Sequence, residues 1–305
     1  MKKANYDYFQ NEEPGEKLPK ELYHYTSPKA LKGILKSNKL WFSNIYFLND
    51  KSEMKYTYLL ILELLTSIKK DLDSEFYKKI LERAEYMTCN TYYEEESAIF
   101  ARLEYYVLCL STEKNCLSLW SNYTKTNDKT GYNIAFSYDG LQDCVDSKGY
   151  EFASFAKVCY DVDKQKEMLS NTILKFNEKY KNAKTGKEKQ VLLWDIIDNF
   201  KIYSIFLKHP AFMAEKEFRI VIGIRTHSHD ELCEFEIQNG IFVPHIEQEM
   251  PDPKKESIIK SITISPTCDR ELAVYSVRKL ANSTKHYFVP IFTSDIPLRT
   301  QANNY

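Results

Sequence analysis

Glycine and proline are scarce in this sequence, with 8 and 10 among 305 residues. So few chain breakers exclude a linker-rich or disordered chain. Long apolar runs are missing too. The longest, Tyr58 to Leu65, contains Glu63 and is far too short to span a bilayer. The opening MKKANYDYFQNEEPGEKLPK holds no hydrophobic stretch, so no secretory signal is expected. Neither sign of charge dominates: 42 Lys and Arg against 43 Asp and Glu give a net charge of -1. No global basic field therefore exists to hold nucleic acid or an anionic membrane. Seven cysteines, an odd number, occur without a C-x-x-C. Several lie in apolar runs, as Cys109 does in YYVLCL, which fits reduced thiols better than a disulfide framework or zinc site. Neither G-x-G-x-x-G nor G-x-x-x-x-G-K-[ST] is present, which disfavours Rossmann and P-loop nucleotide binding. No G-x-S-x-G signals a serine hydrolase.

What is present is ample core material. Hydrophobic residues make up 43% and aromatics 14%, with 23 Tyr. Rings usually fill cores, so a packed interior is favoured over a stacking pocket for a planar ligand. The composition predicts a soluble, cytoplasmic protein with no membrane partner.

Residues 1–20 are polar, carry Pro14 and Pro19, and read as an arm. Residues 21–305 read as one elaborated α+β domain. Leu22 to Tyr25 forms a short strand. Ser27-Pro28 supplies an N-cap and a first-turn proline to a helix with apolar Ala30, Leu31, Ile34 and Leu35. Leu40 to Ser43 is a second strand. Asp50 and Glu53 have capping-box spacing before helical patterns to Leu65 and from Leu72 to Met87. Strands are expected at Tyr105 to Ser111, Gly131 to Ser137 and Phe155 to Tyr160, with a short helix from Leu117 to Tyr123. Two helices, through Met168 to Tyr180 and Leu192 to Tyr203, flank the basic turn KNAKTGKEK and suggest a helical insertion over 162–207. Glu217 to Ile224 is the clearest late strand, followed by Glu234 to Ile237 and Gly240 to Val243. Ile259 to Ser265, a helix from Arg270 to Ala281, and His286 to Phe292 close the chain in a β-α-β rhythm. The expected architecture is a mixed, mainly antiparallel sheet decorated by helices.

Four blocks resemble a bacterial family known only as domain of unknown function 2971. They are LYHYTSPKALKGILKSNKLWFSNIYFLNDKSE, LSTEKNCLSLWSNYTKTNDKTGYNIAFSYDGL, FLKHPAFMAEKEFRIVI and the ITISPT…IFTSDIPLR tail. More remotely, LYHYTSPKALKGILKSNKLWFS is similar to the opening of ADP-ribosyltransferase folds. There a strand carrying His or Arg leads into a helix and a second short strand, and NAD lies against that opening. Such families also carry a late E-x-E or lone Glu at a strand start; here Glu215-Lys216-Glu217 precedes FRIVIGI. His24 stands where an arginine-type family has Arg. Tyr123 and Tyr132 lie near the paired tyrosines of a diphtheria-like family without reproducing their spacing.

That resemblance implies NAD as substrate, no metal, and transfer of ADP-ribose to an unknown macromolecular acceptor, protein or nucleic acid, in a bacterial toxin or phage-defence setting. Cleaving NAD at nicotinamide develops positive charge on the ribose, which a nearby carboxylate stabilises. Glu217 is the candidate catalytic carboxylate. Glu215 is a second candidate, expected on the same face of an extended strand. Candidate cofactor contacts are His24, Tyr25, Thr26, Ser111, Tyr123 and Arg219. Arg219 has two roles open to it: pairing with Glu217, or a bidentate contact to pyrophosphate. Trp120 and Tyr123 share a helix face and read first as core anchors. The cluster His227-Ser228-His229-Asp230 lacks a second ligand group with metal spacing. The competing functions are a non-catalytic nucleotide- or protein-binding module of the same fold, and an NAD glycohydrolase.

Overall fold

A computed structural model describes residues 17–48, 52–89, 103–124, 130–225, 232–266 and 269–296. Strand β1 (Glu21–Thr26) ends at Ser27, whose Oγ accepts the Ala30 N–H at 3.2 Å and starts helix α1 (Pro28–Ser37). Asn38, left-handed at φ 55°, stops that helix, and β2 (Lys39–Asn44) follows at once. Helices α2 (Ser52–Ile68) and α3 (Ser74–Cys89) come next. Asp50 of the expected capping box lies outside the described residues, as do His227 to Asp230.

Then come β3 (Leu103–Ser111), α4 (Leu117–Thr124), β4 (Tyr132–Ser137), α5 (Tyr138–Lys148) and β5 (Phe152–Lys157). Helix α5 was not anticipated, and β5 starts three residues before the expected Phe155. Cys159 forms only an isolated parallel bridge with Leu207. Helices α6 (Val162–Asn182) and α7 (Gly186–Phe206) form the paired helices. The basic segment is mostly helix rather than turn: Thr185 and Glu188 build a capping box that starts α7 inside it. Strands β6 (Glu217–Arg225), β7 (Cys233–Gln238), β8 (Ile241–Glu249) and β9 (Ile259–Ile264), helix α8 (Arg270–Ser283) and β10 (Ile291–Thr293) complete the order. Asn239 and Gly240, at φ 51° and 79°, make the two-residue β7–β8 turn whose twist suits a hairpin.

The architecture is mixed α+β. The sheet runs β10-β9-β4-β1-β3-β2-β8-β7, with β6 on β3 and β5 on β6. All named pairings are antiparallel except β9 with β10. β3 is the hub. β6 pairs with it along its full length, so β1 and β2 share the other edge. β1 meets it at Tyr23↔Ser111, β2 at Ser43↔Val107 and Asn44↔Tyr106. The two strands are joined by α1 and fork apart between those points.

Alternation along β3 and β6 feeds two cores. Tyr105, Val107 and Val221 face a cluster with Tyr58, Ile61, Phe76, Ile173, Ile196 and Phe206 from α2, α3, α6 and α7. Leu108, Leu110, Phe218, Ile220 and Ile222 face the other, with Leu31 and Leu35 of α1, Leu141 of α5 and Val277 of α8. No described helix is long and apolar enough to cross a membrane.

Candidate functional site

At one end of the hub the chain reverses between α7 and β6. His209 caps a 3₁₀ turn over Pro210–Glu215, and its Nδ1 accepts the Ala211 N–H at 3.1 Å. Lys216 ends the turn in the left-handed region at φ 43°, and its N–H donates to the Met213 carbonyl at 3.2 Å. Glu215 is therefore not on an extended strand. The proline-initiated turn holds it in helical backbone, and the single left-handed residue starts β6 at Glu217.

This reversal still brings both carboxylates together, because one ammonium lies between them. Lys208 Nζ is 2.7 Å from Glu215 Oε2 and 3.4 Å from Glu217 Oε2. Arg219, two residues along the same strand face, donates to Glu217 Oε2 from Nη2 at 2.6 Å and from Nε at 3.1 Å. Its Nη1 donates to the Ile205 carbonyl at 2.5 Å. Two carboxylates thus face two cations. Arg219 is 1% exposed, Lys208 5% and Glu215 8%. Lys208 also sits over the Phe212 ring, 4.7 Å from its centroid. The Glu217 N–H donates to the Tyr160 hydroxyl at 3.1 Å. Burial, and then the Glu217 charge, push the Tyr160 phenol well above its ordinary pKa.

Every cation contact to Glu217 falls on Oε2. Oε1 has no partner among the described residues, and the side chain keeps 12% of its surface exposed. One oxygen is anchored and the other is available to a ligand.

Cross-strand partners point to one face of a sheet. Tyr23, Ser111 and Glu217 form a row across β1, β3 and β6. The Ser111 hydroxyl donates to the Glu215 carbonyl at 2.7 Å and accepts the Glu113 N–H at 3.0 Å. Tyr25, on the same face as Tyr23, donates to the Glu113 carbonyl at 2.9 Å and accepts the Cys116 N–H at 2.8 Å. The Lys216 ammonium pairs with the Glu113 carboxylate. Tyr25 and Ser111 therefore fasten the segment joining β3 to α4. Burial, with help from Glu21, pushes the Tyr23 phenol up to about 12.

His24 is at the same end of these strands but on the alternate face. Its Nδ1 lies 3.1 Å from the Cys109 carbonyl, bridging β1 to β3 where their ladder has opened. Burial holds the imidazole below its ordinary pKa, only partly offset by that bond. Thr26 is buried opposite Tyr132. Trp120 is fully buried, 4.8 Å edge-on from Tyr25, and is a core anchor. Tyr123 lies in the last turn of α4; its side chain falls outside what is described.

The structure thus unites Glu215, Glu217, Arg219 and Ser111, and places His24 on the neighbouring fork. Sequence reasoning missed Lys208, Tyr160 and Glu113. A lysine between an apolar helix end and H-P is the only signal Lys208 offers, and nothing in spacing announces Tyr160. Among the described residues, no group of three His, Cys, Asp or Glu could hold a metal.

Residues 119–220 match the model of a family described as protein of unknown function (DUF2971). The match, about a third of the chain, runs from α4 into β6 and includes Lys208, Glu215, Glu217 and Arg219. No curated protein and no solved structure matches the chain.

Proposed function

We propose that this chain cleaves NAD at the nicotinamide bond and transfers ADP-ribose to a macromolecular acceptor. One observation carries the reading: a partly buried carboxylate, Glu217, has one oxygen fixed by Arg219 and Lys208 and the other unengaged among the described residues. It stands at the end of β6, two strands from His24 of β1. With Oε2 anchored, the carboxylate already holds its orientation, and Oε1 needs no reorganisation when positive charge grows on a neighbouring ribose. In the proposed step the bond from ribose C1′ to the nicotinamide nitrogen breaks, and its electron pair leaves with neutral nicotinamide. The acceptor's nucleophilic atom bonds to C1′, and its proton passes to Glu215 or to water. His24 donates its Nδ1–H to the Cys109 carbonyl, which leaves Nε2 to accept a hydrogen bond from a ribose hydroxyl.

A second reading, a non-catalytic binding module, is favoured by the same pair of Arg219 donors on Glu217 Oε2, since an ion-paired carboxylate is also a structural one. Labelled NAD with purified protein separates the two. Transfer or nicotinamide release that disappears in Glu217→Gln supports catalysis. Saturable NAD or partner binding without turnover supports the module. Free ADP-ribose as sole product identifies a glycohydrolase.

A further inference from the structure

We propose that the exposed edge of β7 accepts an extended segment of a partner protein, alternating basic and apolar residues, as an added antiparallel strand. β7 ends the strand order at one side, so among the described residues its outer backbone edge has no ladder partner. Edge strands are ordinarily guarded by charged side chains, lysine above all, by proline or by bulges, and β7 carries only two glutamates of that set. β7, CEFEIQ, has neither lysine nor proline, and its register with β8 is unbroken over six pairs.

Its two faces define what would fit. Phe235 and Ile237 share a face with Phe242 of β8 and are 60%, 62% and 64% exposed, a contiguous apolar row. Glu234 and Glu236 occupy the other face. Among the described residues Glu236 makes one ion pair, with Lys29 of α1 at 2.8 Å, whose side chain is 85% exposed. Glu234 has no ion-pair partner among the described residues. Next along the sheet, Glu247 is held by Lys39.

A second copy is a poor occupant by register alone. In the two-fold antiparallel β7–β7 registers centred on Phe235 or Glu236, which overlap over five residues and keep the apolar faces together, glutamate stands opposite glutamate; the register centred on Ile237 avoids this but pairs only three residues of each strand. Like charges directly opposed destabilise a pair. Shifting the register by one residue sets glutamate against phenylalanine or isoleucine instead. A strand with Lys or Arg opposite Glu234 and Glu236, and β-branched or aromatic residues between, satisfies both faces and the backbone edge together.

The test uses the full chain and labelled seven-residue peptides of alternating Lys and Val or Ile. Comparison peptides have Glu in place of Lys, or methyl groups on alternate backbone nitrogens of either edge. Fluorescence anisotropy should report saturable binding of the basic peptide. The acidic peptide, and one of the two N-methyl series, should bind at least tenfold more weakly. Glu234→Lys with Glu236→Lys, which lies on an exposed surface and leaves the core intact, should invert the preference towards the acidic peptide. Equal binding of both N-methyl series, or an unchanged preference in the charge-reversed variant, overturns the proposal. So does concentration-dependent dimerisation that Phe235→Lys abolishes, since the occupant is then a second copy.

Discussion

Replacing Arg219 by Met tests whether the ion cluster is a coupled unit. Methionine has a similar reach but no charge. It removes two donors from Glu217 Oε2, at 2.6 and 3.1 Å, and one from the Ile205 carbonyl at 2.5 Å. Glu217 keeps only Lys208 at 3.4 Å, which Glu215 already holds at 2.7 Å. Breaking one side of a buried pair costs about 3–5 kcal/mol, because an uncompensated charge stays behind. That is a large part of the roughly 5–15 kcal/mol stabilising a typical folded chain. Adding Glu217→Gln removes the stranded charge, so the double variant should recover to within about 1–2 kcal/mol of the parent. Urea unfolding followed by circular dichroism reads all members of the cycle. A cost below about 1 kcal/mol for Arg219→Met, or a double variant that loses the plain sum of the singles, refutes the coupling.

Other outcomes follow from local geometry. His24 has a lowered pKa in the folded state, so its contribution is complete above its ordinary value of 6.5 and is lost as pH falls through the window below it. His24→Gln keeps a donor for the Cys109 carbonyl, and its stability should fall less on acidification than the parent's. An identical acid limb would contradict that. Gly223→Ala should lose about 1–3 kcal/mol, since a Cβ there would lie 2.9 Å from the Phe152 Cβ and 3.3 Å from Leu103 and Tyr105. A neutral result in thermal unfolding would mean the β3–β6–β5 stack relaxes readily. Thr185→Ala removes the capping hydroxyl of α7 and should cost about 1 kcal/mol, with helix content otherwise retained.

Periodicity and caps made much of the fold legible. Ser27-Pro28 marks the start of α1, and apolar spacing outlines α2, α3, α6 and α7. The continuous apolar runs of β3 and β6 marked both as strands. Helix α5 was hidden because its buried residues, Tyr138, Leu141, Cys144 and Val145, are diluted by Asp, Gln and Gly. Thr185 and Glu188 were read as part of a turn because the lysines around them suggested solvent. At the candidate site, Glu217 was singled out by the E-x-E resemblance, and Arg219 by its place two residues along the same strand. Glu215 was misplaced because nothing local signals that Lys216 turns left-handed. Lys208 and Tyr160 enter only through tertiary contact: one closes the 3₁₀ turn from seven residues upstream, the other reaches Glu217 from 57 residues away. Sequence spacing carries no record of such pairings.

The most direct measurement is turnover of nicotinamide-labelled NAD by the parent chain and by folded Glu217→Gln, with protein, DNA and RNA offered as acceptors. Arg219→Met/Glu217→Gln serves as a control for fold integrity. Catalysis by Glu217 requires nicotinamide release by the parent, with ADP-ribose appearing on one acceptor class, and a loss of roughly a hundredfold or more in Glu217→Gln. Equal release by parent and Glu217→Gln, or no release by a folded parent that binds NAD, would contradict it.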